Sequence, residues 1–92
     1  MKVKYFAYFR TGAGCKEENL LLGPVTAIEL LRTLGDMHGE VLRKQLVSQN
    51  GEDIDPDVIF LIDGRNIDFL DGINSIIGAD AVISLFPRIA GG

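Results

Sequence analysis

The chain has 92 residues, 47% of them hydrophobic, and a net charge of -4, which suits one domain with one modest core. One cysteine and one histidine leave no material for a disulfide framework, a Cys-rich cluster or a two-histidine metal site, so no metal and no bound cofactor are expected. The acidic balance speaks against nucleic acid as a partner, and the longest apolar run, "VIFLI", falls far short of the roughly 20 residues of a membrane span.

"MKVKYFAYFR" carries distributed charge and no small-residue cleavage site, so it reads as mature structure and a cytoplasmic location is expected. Lys2–Arg10 alternates as a strand should. Val3, Tyr5, Ala7 and Phe9 are assigned inward, and Lys4, Phe6, Tyr8 and Arg10 outward. Thr11–Gly14 is a turn by its glycines, and Asn19–Gly23 is a short second strand. "GPVTAIELLRTLGDMHG" is the strongest helix signal. Thr26 is the N-cap, Glu29 three residues on completes a capping box, and Val25 can staple onto Leu30. Ile28, Leu31 and Leu34 share the buried face, with Ala27 and Met37 at its edges, and Gly39 ends the helix. Glu40–Val47 is a shorter second helix, followed by an acidic loop over Ser48–Asp57.

Val58–Gly64 is a strand whose Val58, Phe60 and Ile62 point inward and Ile59 and Leu61 outward. Asp63–Asn66 is a tight hairpin turn, and Ile67–Leu70 a short returning strand. Asp71–Asp80 is a connection with one helical turn at most. Ala81–Phe86 is the last strand, with Ile83 and Leu85 inward and Ser84 and Phe86 outward, closed by Pro87. One main helix across a mixed four- to five-stranded sheet, with first and last strands parallel at its centre, is an α+β fold of the β-grasp, ubiquitin-like kind. The domain is expected over 1–87, with a flexible tail over 88–92.

"VKYFAYFR", "LIDGRNI" and "GADAVISLFPRIAGG" together resemble the MoaD/ThiS family of sulfur carriers, most of all the small subunit of molybdopterin synthase, over nearly the whole chain. The thiazole-pathway members usually lack much of the "EVLRKQLVSQNGED" insertion. One departure is that the family tail commonly reads Phe-Pro-Pro, whereas Phe86 and Pro87 are followed here by Arg88, closer to the basic tails of ubiquitin-like modifiers. The resemblance implies that the C-terminal carboxylate of Gly92, next to Gly91, is the reactive group. A carboxylate is a poor acyl donor until it is joined to AMP. No G-x-x-x-x-G-K-[ST] motif is present for ATP, so the ATP would be used by a partner, an adenylyltransferase related to ubiquitin-activating enzymes. A sulfur donor would then give a thiocarboxylate, and the large subunit of molybdopterin synthase would take the sulfur. A lysine amine attacking instead would give an isopeptide, the chemistry of a ubiquitin-like modifier. A thiazole-pathway carrier, or a plain binding module with the same fold, are the further alternatives. From Arg88 to Gly92 the chain can reach at most ~17 Å.

If the three long strands are neighbours, Phe6, Ile59, Leu61 and Phe86 form one exposed apolar patch beside the tail, with Pro87 at the exit and Arg10 and Arg88 on the rim, where they would suit an acidic partner or simply be solvated. Contiguous apolar surface marks a binding site. The net acidity, by contrast, would suit a partner with a basic docking face. Cys15 reads as an incidental thiol, His38 as a favourable charge at the helix end, and Glu52, Asp53, Asp55 and Asp57 as a solvated loop lacking the later glutamate of a calcium-binding loop.

Overall fold

β1 covers Lys2–Tyr5 in the computed structural model, which describes residues 1–88. Val3 and Tyr5 point inward and are fully buried. The expected continuation to Arg10 fails at Ala7, whose φ of 53° is left-handed and ends the strand. The chain turns instead into a short helix, α1 (Phe9–Ala13). Phe9 is buried as expected, but Ala13 is buried with it, four residues on along one helical face. Strand alternation and helical spacing both bury Phe9, and only Ala7, which is exposed, tells them apart.

β2 is Glu17–Asn19, antiparallel to β1 with Lys4 opposite Glu17 and Lys2 opposite Asn19. It lies upstream of the strand expected at Asn19–Gly23. As an edge strand it needs no apolar alternation, and "EEN" shows none. β3 (Val25–Thr26) leads into α2 (Ala27–His38). The Thr26 cap is as expected: its Oγ1 accepts the Glu29 N–H at 3.3 Å and donates to the Glu29 carboxylate at 2.9 Å. Val25 pairs with Ile77 in β3. Ile28, Leu31 and Leu34 are buried together with Ala27 and Leu30, while Met37 is half exposed. Gly39, at φ 102°, ends α2 and starts α3 (Glu40–Leu46). α3 folds back closely enough that a Cβ on Gly35 would stand 2.9 Å from Arg43 Cβ.

β4 (Val58–Ile62) turns through Asp63 and Gly64 into β5 (Arg65–Asn66). The returning strand expected at Ile67–Leu70 is a single 3₁₀ turn over Ile67–Phe69, because the two-residue turn starts the return at Arg65, opposite Ile62. The connection that follows holds a second 3₁₀ turn, Gly72–Asn74, and also β6 (Ile76–Ile77), which pairs with β3 in a separate two-stranded sheet. β7 is Val82–Pro87.

The main sheet has the order β2-β1-β7-β4-β5, with β1 and β7 parallel at its centre and the other pairs antiparallel. This is the expected β-grasp. Its inner face presents Val3, Tyr5, Phe60, Ile62, Ile83 and Leu85 to α2. Each fully buried Leu, Ile or Phe contributes about 1.5–3 kcal/mol, and Leu30, Leu31 and Leu34 of α2 share one core cluster with these sheet residues. The outer face carries the other half of the alternation.

Candidate docking face and tail exit

The inward assignments on β4 and β7 put Ile59, Leu61, Ser84 and Phe86 on the outer face, and the burial patterns of both strands agree. Register then joins them, with Ile59 opposite Phe86 and Leu61 opposite Ser84. Phe6 follows the end of β1, but its N–H still donates to the Leu85 carbonyl at 3.1 Å. That one bond holds Phe6 beside β7, where its ring stacks on Phe86 with centroids 4.1 Å apart and planes 9° from parallel. The four expected apolar residues therefore form one half-buried strip across three strands.

Arg10 reaches this strip by a different route from the one expected. It sits on α1, where its Nε donates to the Tyr5 carbonyl at 2.9 Å, and its guanidinium lies 5.5 Å from the Phe6 ring centroid. The left-handed Ala7 makes this possible by swinging α1 back over the end of β1. The guanidinium and the Phe86 ring both lie against Phe6 at the end of the sheet where β7 finishes.

Pro87 is buried on the opposite, helix-facing side, paired with Val58, so the structure does not bring it into the apolar strip. Arg88 is anchored: its backbone N–H donates to Asp57 O at 2.6 Å and its Nε to Pro56 O at 3.4 Å. The pairing of β7 with β4 thus extends one residue past the strand, and the acidic loop between α3 and β4 holds the exit. Gly91 and Gly92 lie outside the described residues.

Two residues that the sequence reading did not offer for the site join it. Lys2 and Lys4 share the outer face with Phe6, and Lys4 lies in the row that continues through Ser84 to Leu61. The signal was present in the alternation of β1, which assigns Lys4 and Phe6 to one side, but it was hidden by the acidic total.

Beneath the sheet, Tyr5 and His38 converge on one carboxylate oxygen. The Tyr5 hydroxyl donates to Glu18 Oε2 at 2.5 Å, and His38 Nε2 lies 2.5 Å from the same oxygen. His38 is therefore paired with β2, beyond its expected place as a charge at the helix end. Burial first, then the hydrogen bond and charge of Glu18, hold the Tyr5 phenol above its usual range. Burial and Glu18 likewise push the Cys15 thiol up, away from the thiolate that sulfur chemistry uses. In the acidic loop, Asp53 and Asp55 accept backbone N–H groups of Ile54 and Asp57. Among the described residues no three His, Cys, Asp or Glu side chains converge as a metal site, and no helix is long and apolar enough to cross a membrane.

The family model described as "ThiS family" matches residues 3–92. The chain belongs to the ThiS family. This is the MoaD/ThiS group of ubiquitin-like sulfur carriers and modifiers that the sequence resembled. Among solved structures, a putative molybdopterin converting factor subunit 1 from Pyrococcus furiosus is 30% identical, with a TM-score of 0.70, over 96% of this chain and 95% of that one. The HVO 2177 protein of Haloferax volcanii is 29% identical, with a TM-score of 0.82, over 99% of this chain and 84% of that one. The small archaeal modifier protein 1 of Methanosarcina acetivorans is 27% identical, with a TM-score of 0.80, over 99% and 94%. No curated protein sequence matches the chain.

Proposed function

We propose that this ThiS-family chain is a sulfur carrier loaded at the Gly92 carboxyl and that it serves molybdopterin synthesis. The observation that supports it best is the placement of the apolar strip. Phe6, Phe86, Ile59 and Leu61 lie beside the exit at Arg88, so a partner seated on the strip receives the chain end. The family match running through residue 92 and the likeness to a putative molybdopterin converting factor subunit support the same reading.

The chemistry runs in balanced steps. An oxygen of the Gly92 carboxylate attacks the α-phosphorus of ATP in the active site of an adenylyltransferase, and pyrophosphate leaves. A donor protein's persulfide then attacks the carbonyl carbon with its outer sulfur, and AMP leaves. A second thiol cleaves the resulting acyl disulfide and frees the thiocarboxylate. In the cytoplasm the thiocarboxylate sulfur then displaces an oxygen leaving group from a pterin precursor held by the large subunit of molybdopterin synthase, and water hydrolyses the resulting thioester, leaving the sulfur on the pterin and restoring the Gly92 carboxylate. The chain is the covalent co-substrate in this scheme and supplies no acid, base or nucleophile apart from its terminus.

The likeness to a small archaeal modifier protein favours a second reading, conjugation of Gly92 to protein lysines. Both readings share the first step. Intact-mass measurement on the protein isolated from its own cells separates them. The carrier reading predicts a form heavier by the exchange of one oxygen for sulfur. Its absence, together with Gly-Gly remnants on lysines of digested cell protein, would overturn the carrier reading in favour of the modifier.

A further inference from the structure

The charges of this chain are segregated in a way that the total conceals. Residues 1–16 hold Lys2, Lys4, Arg10 and Lys16 and no acidic side chain, whereas residues 17–92 hold five basic and thirteen acidic ones. The first segment is β1 and α1, the part of the fold that delivers Phe6 to the apolar strip. Lys2 is offset by Glu17 at 3.3 Å. Lys4 and Arg10 make no ion pair among the described residues. On the β1 side the one bordering acid is Glu17, which stands across from Lys4 in the register but lies against Lys2; on the far side Asp57 and Asp63 flank the two ends of β4. A protein that is acidic overall therefore presents an apolar strip edged by two uncompensated cations along its β1 side.

We infer that this face selects a protein surface with an apolar centre and carboxylates placed opposite Lys4 and Arg10, and that these two cations choose the partner. The inference rests on the carrier reading above and names the chemistry of its activating partner. It extends to Lys4 the acidic partner that the rim arginines suit, against the basic docking face that net charge alone suggests. Two unpaired cations beside a desolvated apolar strip gain a partner only when carboxylates meet them. A basic surface placed there would be repelled, which gives specificity as well as speed of encounter. Rim charges of this kind act mainly on association and weaken with salt.

The test uses the adenylyltransferase from the same organism and reads ATP–pyrophosphate exchange as a function of carrier concentration. Lys4→Glu and Arg10→Glu should each raise KM about five- to tenfold at low ionic strength and leave kcat unchanged. The difference should shrink at high salt. Lys44→Glu, on α3 and remote from the strip, should leave KM as it is. Lys4→Gln, which removes the charge without setting two carboxylates across from each other at Glu17, should give an intermediate KM and guards against misfolding of the reversal. A wild-type KM in both reversals, or a raised KM that ignores salt, overturns this inference alone. If the wild-type chain drives no exchange, the carrier reading falls and this inference falls with it.

Discussion

Tyr5 shows what one hydroxyl does in this fold. Its ring is fully buried, and a buried hydroxyl must find an acceptor or cost free energy. Glu18 supplies it from the edge strand, and His38 approaches the same oxygen from the end of α2, so one carboxylate ties β1, β2 and α2 together. The phenol is held above its usual range in the folded chain. Above about pH 10 the unfolded chain therefore loses a proton that the folded chain keeps. Stability from this group is fully present below that pH and is lost above it, by up to about 1.4 kcal/mol per pH unit. Tyr5→Phe should cost about 1–2 kcal/mol at neutral pH. Urea unfolding of both proteins should show the gap constant up to about pH 9 and closing between about pH 10 and about pH 11.5. A gap that stays constant would contradict this role. The alternation of β1 placed Tyr5 inward from the sequence alone, but the pairing with Glu18 depends on where β2 begins, which polar "EEN" does not announce.

At the scale of elements, α2 and α3 depend on one missing side chain. An alanine in a helix interior is ordinarily worth about 1 kcal/mol over glycine. At Gly35 the added carbon would stand 2.9 Å from Arg43 Cβ and 3.2 Å from its Cα. Neither atom can swing away, so α3 must move. Gly35→Ala should destabilise the protein by about 1–3 kcal/mol, seen as a lower urea midpoint with an unchanged slope. A higher midpoint would show that the two helices are not held at this distance. From sequence, Gly35 looks only like a weak point in the helix, because the partner that requires it is eight residues away on a different element. The Thr26 cap, by contrast, was legible because its partner, the Glu29 N–H, is only three residues away. The same division explains the other elements. β4 and β7 are flanked on both sides by strands, and their apolar alternation gave the faces correctly. β5 and β6 are two residues long, too short for any pattern. The switch from β1 to α1 turns on the backbone of Ala7, a residue type that favours neither the turn nor the left-handed conformation.

For the whole molecule, composition and pattern were enough to give one α+β domain of the β-grasp kind, and they brought Phe6, Ile59, Leu61 and Phe86 to one face. They offered Arg10 and Arg88 as rim charges for an acidic partner but not Lys4, and the net charge pointed the other way. A net charge is a sum, and the fold sorts its terms in space, so that β1 and α1 carry cations and no acid while the later loops and turns hold most of the acids. The exit is likewise firmer than the lone Arg88 suggests, since the backbone of Asp57 holds it. The reactive atom, in the account proposed here, is the carbonyl carbon of Gly92, and the folded body presents it. Fragment-ion mass spectrometry of the C-terminal peptide, released from protein isolated in its native cells, reads that atom directly. One oxygen of the Gly92 carboxyl should be replaced by sulfur while the peptide bearing Cys15 is unmodified. Sulfur carried on Cys15, with Gly92 retaining both oxygens, would contradict it.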